Sequence, residues 1–142
     1  MYTYDWTRTV RGADPQRCFD VVTDPSRATE WVSMATEVTA EGDPGVGRVL
    51  RVKAGIIGVG LTLVATVDTW DEPTAYAYGG STPFQQHMGF TFTPDGDDTA
   101  LACHVEFDPG KFFRFGTAKL AASTFARTFE GDLDRLVRII EG

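Results

Sequence analysis

The chain has 142 residues, of which 42% are hydrophobic and 23% charged; this suits one globular domain with one sizeable core and excludes a disordered chain. Thirteen Lys and Arg against twenty Asp and Glu give a net charge of -7, and the cations are scattered. Phosphate contacts need clustered cations, so the expectation is no nucleic-acid partner and no anionic membrane surface. No stretch approaches the ~18 apolar residues of a membrane helix, and "MYTYDWTRTVRG" lacks the apolar run of a signal peptide. The expected location is cytoplasmic, without stable membrane insertion. Cys18 and Cys103 are then expected as buried thiols rather than a disulfide.

Tyr2, Tyr4, Trp6, Arg8 and Val10 alternate with Thr3, Asp5, Thr7 and Thr9, which predicts a strand with one rich face. "ADPQRCFDVVTDPSRATEWV" follows, with Asp-Pro twice, ten residues apart. Each Asp can cap a helix whose first residue is the proline, so two short helices in tandem are predicted. Cys18, Phe19 and Val22 share a face of the first, and Trp31 ends the second. From about Ala35 to Phe107 the pattern is β: "TEVTAE" weakly, then "GRVLRVKA", "GLTLVATVDTW", "TAYAYGG", "QHMGFTFTP" and "TALACHVEF". The short Gly-, Pro- and Asp-rich connections imply an antiparallel meander. From about Phe113 to Glu141 an apolar stripe recurs at helical spacing, through Ala118, Ala122, Phe125, Phe129, Leu133, Leu136 and Ile140. That is a helix of ~40 Å, with a bend expected at Gly131. Its only long apolar partner is the sheet. The derived fold is α+β: a six- or seven-stranded antiparallel sheet curling around a long C-terminal helix.

A sheet covered on one side alternates apolar and polar residues. Leu50 and Val52, then Leu61, Leu63, Ala65 and Val67, then Met88, Phe90 and Phe92, then Leu101, Cys103, Val105 and Phe107 are expected on the inner face. Whether Tyr76 and Tyr78 or Ala75 and Ala77 face inward stays open. This face carries no carboxylate and no histidine, only Arg8 and Arg48 near strand ends, tyrosine hydroxyls and one thiol. The helix stripe is small at Ala118, Ala121 and Ala122 and bulky at Phe125 and Phe129, which leaves room for an apolar pocket. A packed core gives the same pattern. "GVGRVL" lacks the third glycine of a dinucleotide loop, "PDGDD" lacks the glutamate of a calcium loop, and two histidines and two cysteines, none at ligand spacing, predict no metal or other cofactor.

The element order, together with "FDVVTDPSRATEWV", "GVGRVLRV", "TVDTWDEPTAYAY" and "FTFTPDGDDTAL", resembles the START-like (SRPBCC, Bet v 1-like) superfamily, and within it the polyketide cyclase/dehydrase and lipid-transport group, over essentially the whole chain. The resemblance implies one ligand-binding domain over residues 1–142. It implies a helix-grip fold whose sheet and last helix enclose a deep apolar cavity. An apolar small molecule, such as a lipid, a sterol-like compound or a polyketide, is then the expected partner. Trp31, Leu50, Val52, Leu61, Leu63, Tyr78, Met88, Phe90, Cys103, Val105, Ala118, Ala122 and Phe125 are the expected lining. In the plant hormone receptors of the superfamily the loops after the third and fifth strands gate the cavity. Here these are "AGIIGVG" and "GGSTPFQQH", which adds Ile56, Ile57, Phe84 and His87 as candidate ligand contacts. Cyclase members use an arginine and tyrosines inside the cavity, for which Arg48, Tyr76 and Tyr78 are the possible counterparts. Two alternatives to a non-catalytic binder follow: a polyketide cyclase or dehydratase working in the same cavity, and a protein-interaction module. A monomer or weak homodimer is expected.

Overall fold

The computed structural model describes residues 1–114 and 116–142. Strand β1 (Tyr2–Val10) leads to α1 (Pro15–Thr23) and α2 (Ala28–Trp31); β2 (Ala35–Glu41), β3 (Val49–Ile56), β4 (Val59–Asp71), β5 (Ala75–Thr82), β6 (Gln85–Asp95) and β7 (Asp98–Asp108) follow, and α3 (Ala118–Glu141) ends the chain. The seven strands form one antiparallel sheet in the order β1-β7-β6-β5-β4-β3-β2. The meander is thus completed by β1, which lies beside β7.

Both Asp-Pro starts act as caps. The Asp14 carboxylate accepts the Arg17 N–H at 2.9 Å, with Pro15 as first helical residue. Asp24 accepts the Ser26 N–H at 3.0 Å and its hydroxyl at 2.7 Å. The second start opens a 3-10 turn, Pro25–Arg27, which runs directly into α2. Helix α3 has 24 residues, ~36 Å. It starts later than Phe113 because Gly116 has φ +73°, a left-handed conformation that a helix cannot propagate through. It is continuous across the exposed Gly131. None of the described helices is long and apolar enough to cross a membrane.

Packing follows the alternation. Trp6 of β1 lies 5.3 Å from Phe129 of α3, and Phe107 of β7 lies 5.5 Å from Phe125. Under α1, Phe19 meets Trp70, Tyr76 and Phe92 edge-on at 5.1, 6.3 and 6.1 Å. Tyr76 is buried and Tyr78 half-buried, both inward, which settles the parity of β5. Cys18 and Cys103 are free and buried.

The "AGIIGVG" segment is not a long loop. Strand pairing continues to Ile56↔Val59, leaving a two-residue turn of Ile57 and Gly58 with φ +45° and +78°. A type I′ hairpin turn requires positive φ at both positions and favours Asn-Gly; a β-branched residue there is strained. Ile57→Asn is expected to raise stability by about 1 kcal/mol, read by urea denaturation. An unchanged midpoint would mean that the turn relaxes without the substitution. "GGSTPFQQH" is likewise a tight hairpin, with Pro83 and Phe84 between β5 and β6.

On the outer face His104 is held by the Asp5 carboxylate at 2.6 Å and, more loosely, by Glu106 at 3.5 Å. The hydrogen bond to Asp5 raises the imidazole pKa above its ordinary value, more than partial burial lowers it. A folded pKa above the unfolded one stabilises fully below about pH 6.5 and stops doing so as pH rises through the folded value. The wild type should therefore lose a small amount of stability between about pH 6 and about pH 8 that His104→Gln does not lose. Denaturation midpoints at the two pH values check this.

Candidate functional site

Register decides which inner residues meet a void and which meet other side chains. Leu50 stands opposite Ala65, Val52 opposite Leu63, and Ala54 opposite Leu61. On the other half of the sheet Tyr78, Met88 and Val105 form one cross-strand row. All of these line a cavity of about 180 Å³ between the sheet and α3. The next row, Tyr76, Phe90 and Cys103, contributes only Tyr76. Phe90 stacks on Phe92 and meets Trp31 edge-on, and Cys103 is 1% exposed. One step along the strands thus separates cavity wall from solid core.

The helical wall is formed by Ala121, Phe125 and Phe129. These lie four residues apart and so share a face. The expected Ala118 and Ala122 do not line the cavity, since Ala122 is turned into the core. Ile56 borders the void, whereas Ile57 sits at the hairpin tip, 37% exposed. Phe84 and Trp31 are in the lining. His87 borders the cavity, but its Nε2 is taken by the Asp68 carboxylate at 2.8 Å.

From the sequence the two short helices are expected to close the end of the sheet, with Phe19 and Val22 plugging it, but only Trp31 of that side is expected as ligand contact. Val22, Thr23, Asp24, Pro25 and Ala28, from the two short helices and the turn between them, border the cavity, as do Val32, Met34, Ala35 and Val38. The second Asp-Pro start is the signal that places them there, because it turns the chain so that α2 runs along the edge of the sheet. Gln86, Phe107 and Phe113 also reach the wall without having been expected there.

The end of α2 is tied to α3. Asp132, 1% exposed, accepts the Ser33 N–H at 3.1 Å through Oδ2 and the Arg135 guanidinium at 3.1 Å through Oδ1. The same Arg135 nitrogen donates to the Trp31 carbonyl at 3.1 Å. The chain immediately after Trp31 is thus tied to α3, while the Trp31 indole N–H has no partner among the described residues.

Polar chemistry in the wall is sparse. The Asp24 carboxylate takes both capping bonds on Oδ1, and the Gln86 amide donates to the Val64 carbonyl at 3.1 Å. The Tyr78 hydroxyl lies 3.1 Å from the Met88 sulfur. The Tyr76 hydroxyl makes no hydrogen bond among the described residues. Burial pushes Tyr76 up to about 12, against a smaller opposing pull from the Arg48 charge, and holds Tyr78 well above the ordinary tyrosine value. Both remain neutral O–H donors at physiological pH. Arg48 does not line the cavity; its Nε is buried without a partner among the described residues. Burial also raises the Cys103 thiol, so it is no nucleophile. Among the described residues no cluster of His, Cys, Asp or Glu has a metal-binding arrangement.

A seven-stranded antiparallel sheet, short helices after the first strand and a long C-terminal helix over an apolar cavity make a START-like, helix-grip architecture. Three of the solved structures that share it illustrate the likeness. They are the protein TTHA0849 of Thermus thermophilus (TM-score 0.79, 14% identity, 98% of this chain and 97% of that one), a START superfamily protein of Mycobacterium smegmatis (0.75, 17%, 99% and 98%) and the di-domain ARO/CYC BexL from the BE-7585A biosynthetic pathway (0.63, 16%, 98% and 49%). The family model described as polyketide cyclase / dehydrase and lipid transport matches residues 1–141, and the chain belongs to that family. No curated protein matches the sequence.

Proposed function

We propose that residues 1–142 act as one ligand-binding unit that holds a compact apolar small molecule in the cavity between sheet and α3, as a carrier or receptor. The observation that carries this reading is the wall itself. Its side chains are overwhelmingly aliphatic and aromatic, and of its polar groups Asp24, Gln86 and His87 are already engaged. A dry apolar cavity of about 150 Å³ takes up benzene, so about 180 Å³ suits one or two rings. A larger sterol-like or polyketide ligand would need the hairpins to part. Trp31, Leu50, Val52, Leu63, Met88, Val105 and Phe125 are the contacts we assign to the hydrocarbon body of the ligand. The Tyr76 hydroxyl, neutral and unpaired among the described residues, would donate to one acceptor on it.

The family description favours a second reading, cyclisation or dehydration of a polyketide-like chain. That chemistry needs a base aimed at the substrate. Asp24 gives Oδ1 to its capping bonds and His87 gives Nε2 to Asp68, which leaves only Asp24 Oδ2 and His87 Nδ1 as candidate bases in an otherwise apolar wall, and a tyrosine pushed up to about 12 gives up no proton near neutrality. The binder is therefore preferred.

Displacement of an apolar fluorescent dye, with native mass spectrometry of protein from its own host, tests the proposal. Expected are saturable dye binding and a co-purifying small molecule. Tyr76→Phe should weaken a carbonyl-bearing ligand about fivefold and leave a pure hydrocarbon unchanged. Absence of saturable binding by any apolar probe would sink the binding reading. Turnover of a polyketide-like substrate that Tyr76→Phe abolishes would favour the enzyme.

A further inference from the structure

All twenty carboxylates fall outside three stretches of the sequence, residues 44–67, 73–94 and 109–129. These contain the β3–β4 hairpin, the β5–β6 hairpin and the segment that leads into α3. The three meet in space: Phe84 at the β5–β6 turn lies 5.5 Å from Phe112 and 6.2 Å from Phe113, and Ile56, Phe84, Phe113 and Ala121 border one cavity. The alternate turns of the meander, at the other end of the strands, hold the acidic residues, among them Asp71, Glu72, Asp95, Asp97 and Asp98. Charge is thus sorted along the strands.

The third stretch also concentrates cations. Lys111, Arg114, Lys119 and Arg127 lie between Asp108 and Glu130 with no acidic residue among them, in a chain whose net charge is -7. All four are exposed, and none is ion-paired among the described residues; of the other nine cations Arg8, Arg27, Arg51, Lys53 and Arg135 are paired, and Arg11, Arg17, Arg48 and Arg138 are not. Of the carboxylates bordering this end, Glu37 pairs with Lys53 at 3.1 Å and Glu130 is turned toward Arg8 at 3.7 Å, while Asp108 accepts the Gly110 N–H at 3.1 Å and keeps its charge. Counted over the whole chain the cations are scattered, which is the ground for expecting no anionic membrane surface; the acid-free block between Asp108 and Glu130 departs from that average. Apolar side chains accompany the cations. Leu120 is 56% exposed on the first turn of α3, beside Lys119, and Ile57 projects from the hairpin tip in its left-handed conformation.

We propose that this end of the molecule is a docking surface for an anionic lipid bilayer. Basic side chains interleaved with apolar ones are what the bilayer interface retains: the cations attract acidic headgroups and the apolar tips sink below them. The acidic residues at the far end are screened beyond about 10 Å, so they do not prevent the approach of this end. A bilayer accepts tips carried on separate loops, whereas a folded protein partner needs a continuous complementary patch. The proposal stands apart from the cavity reading, because it requires no ligand.

Co-sedimentation of the full chain, without added ligand, with vesicles of phosphatidylcholine alone and with about 30% phosphatidylglycerol tests it. At about 50 mM salt the bound fraction should be at least about tenfold higher on the anionic vesicles, and it should collapse at about 500 mM. Replacing Lys111, Arg114, Lys119 and Arg127 by Gln should abolish the difference, with folding checked by circular dichroism; Arg51→Gln with Lys53→Gln should preserve it. If the fourfold variant does not fold, Lys119→Glu with Arg127→Glu on the exposed face of α3 replaces it. Equal binding to both vesicles, or anionic binding that survives the charge variants, overturns the proposal. Retention on immobilised polyglutamate without binding to vesicles overturns it in favour of an acidic protein partner. Dye binding in vesicle-free solution reads the cavity separately.

Discussion

Replacing Leu63 by tryptophan is expected to cut binding of an apolar probe by at least about tenfold while the protein stays folded. Leu63 lies mid-strand in β4, opposite Val52, with its side chain in the cavity wall. A larger ring there occupies the space a ligand would use. Overfilling a solid core costs about 1–3 kcal/mol, but here the added atoms enter a void and gain contacts, so the melting temperature should move by only a few degrees. Leu133→Ala is the opposite control. Leu133 is 0% exposed and belongs to the core rather than the cavity wall; its truncation should cost about 2–5 kcal/mol and leave binding per folded molecule intact. Undiminished probe affinity in Leu63→Trp would place the probe elsewhere on the molecule.

The second large effect concerns Asp132. Asp132→Ala leaves the Ser33 N–H without its acceptor and removes the partner of Arg135. Hydrogen bonds to charged groups contribute about 1.5–3 kcal/mol, and Arg135 keeps access to solvent, its side chain being 43% exposed. The expected loss is about 2–3 kcal/mol, smaller than for a fully buried ion pair. Asp132→Asn, which retains an acceptor for Ser33, should lose less. Urea denaturation of both variants reads the difference. A loss below about 0.5 kcal/mol in Asp132→Ala would mean that water replaces both bonds.

The strands and the long helix were legible in the sequence because period two and period 3.6 are strong signals. The inner-face parities of β3, β4, β6 and β7 follow from them. Three features were not legible. The rotation of α3 was one: a stripe that contains both Ala121 and Ala122 does not say which alanine faces the void, and packing of Phe125 and Phe129 against β1 and β7 decides it. The division of the inner face was another, because alternation identifies a face but not where along the strand the sheet closes on the helix. Phe90 and Phe92 share parity with Met88, yet only Met88 reaches the cavity. The third was Asp132, which reads as one more polar residue on a solvated helix face; its burial depends on where the second short helix ends.

The ties between α3 and the chain just after Trp31 have a consequence for measurement. Of the three tryptophans, Trp31 borders the cavity, while Trp6 packs on Phe129 and Trp70 on Phe19 and Tyr76. Its ring is held in one orientation by a backbone bound to α3 and an edge-on contact with Phe90. The molecule therefore carries a fluorophore of fixed geometry in the wall of its own cavity. Occupancy becomes an optical signal that needs no label, with Trp6 and Trp70 as the constant background.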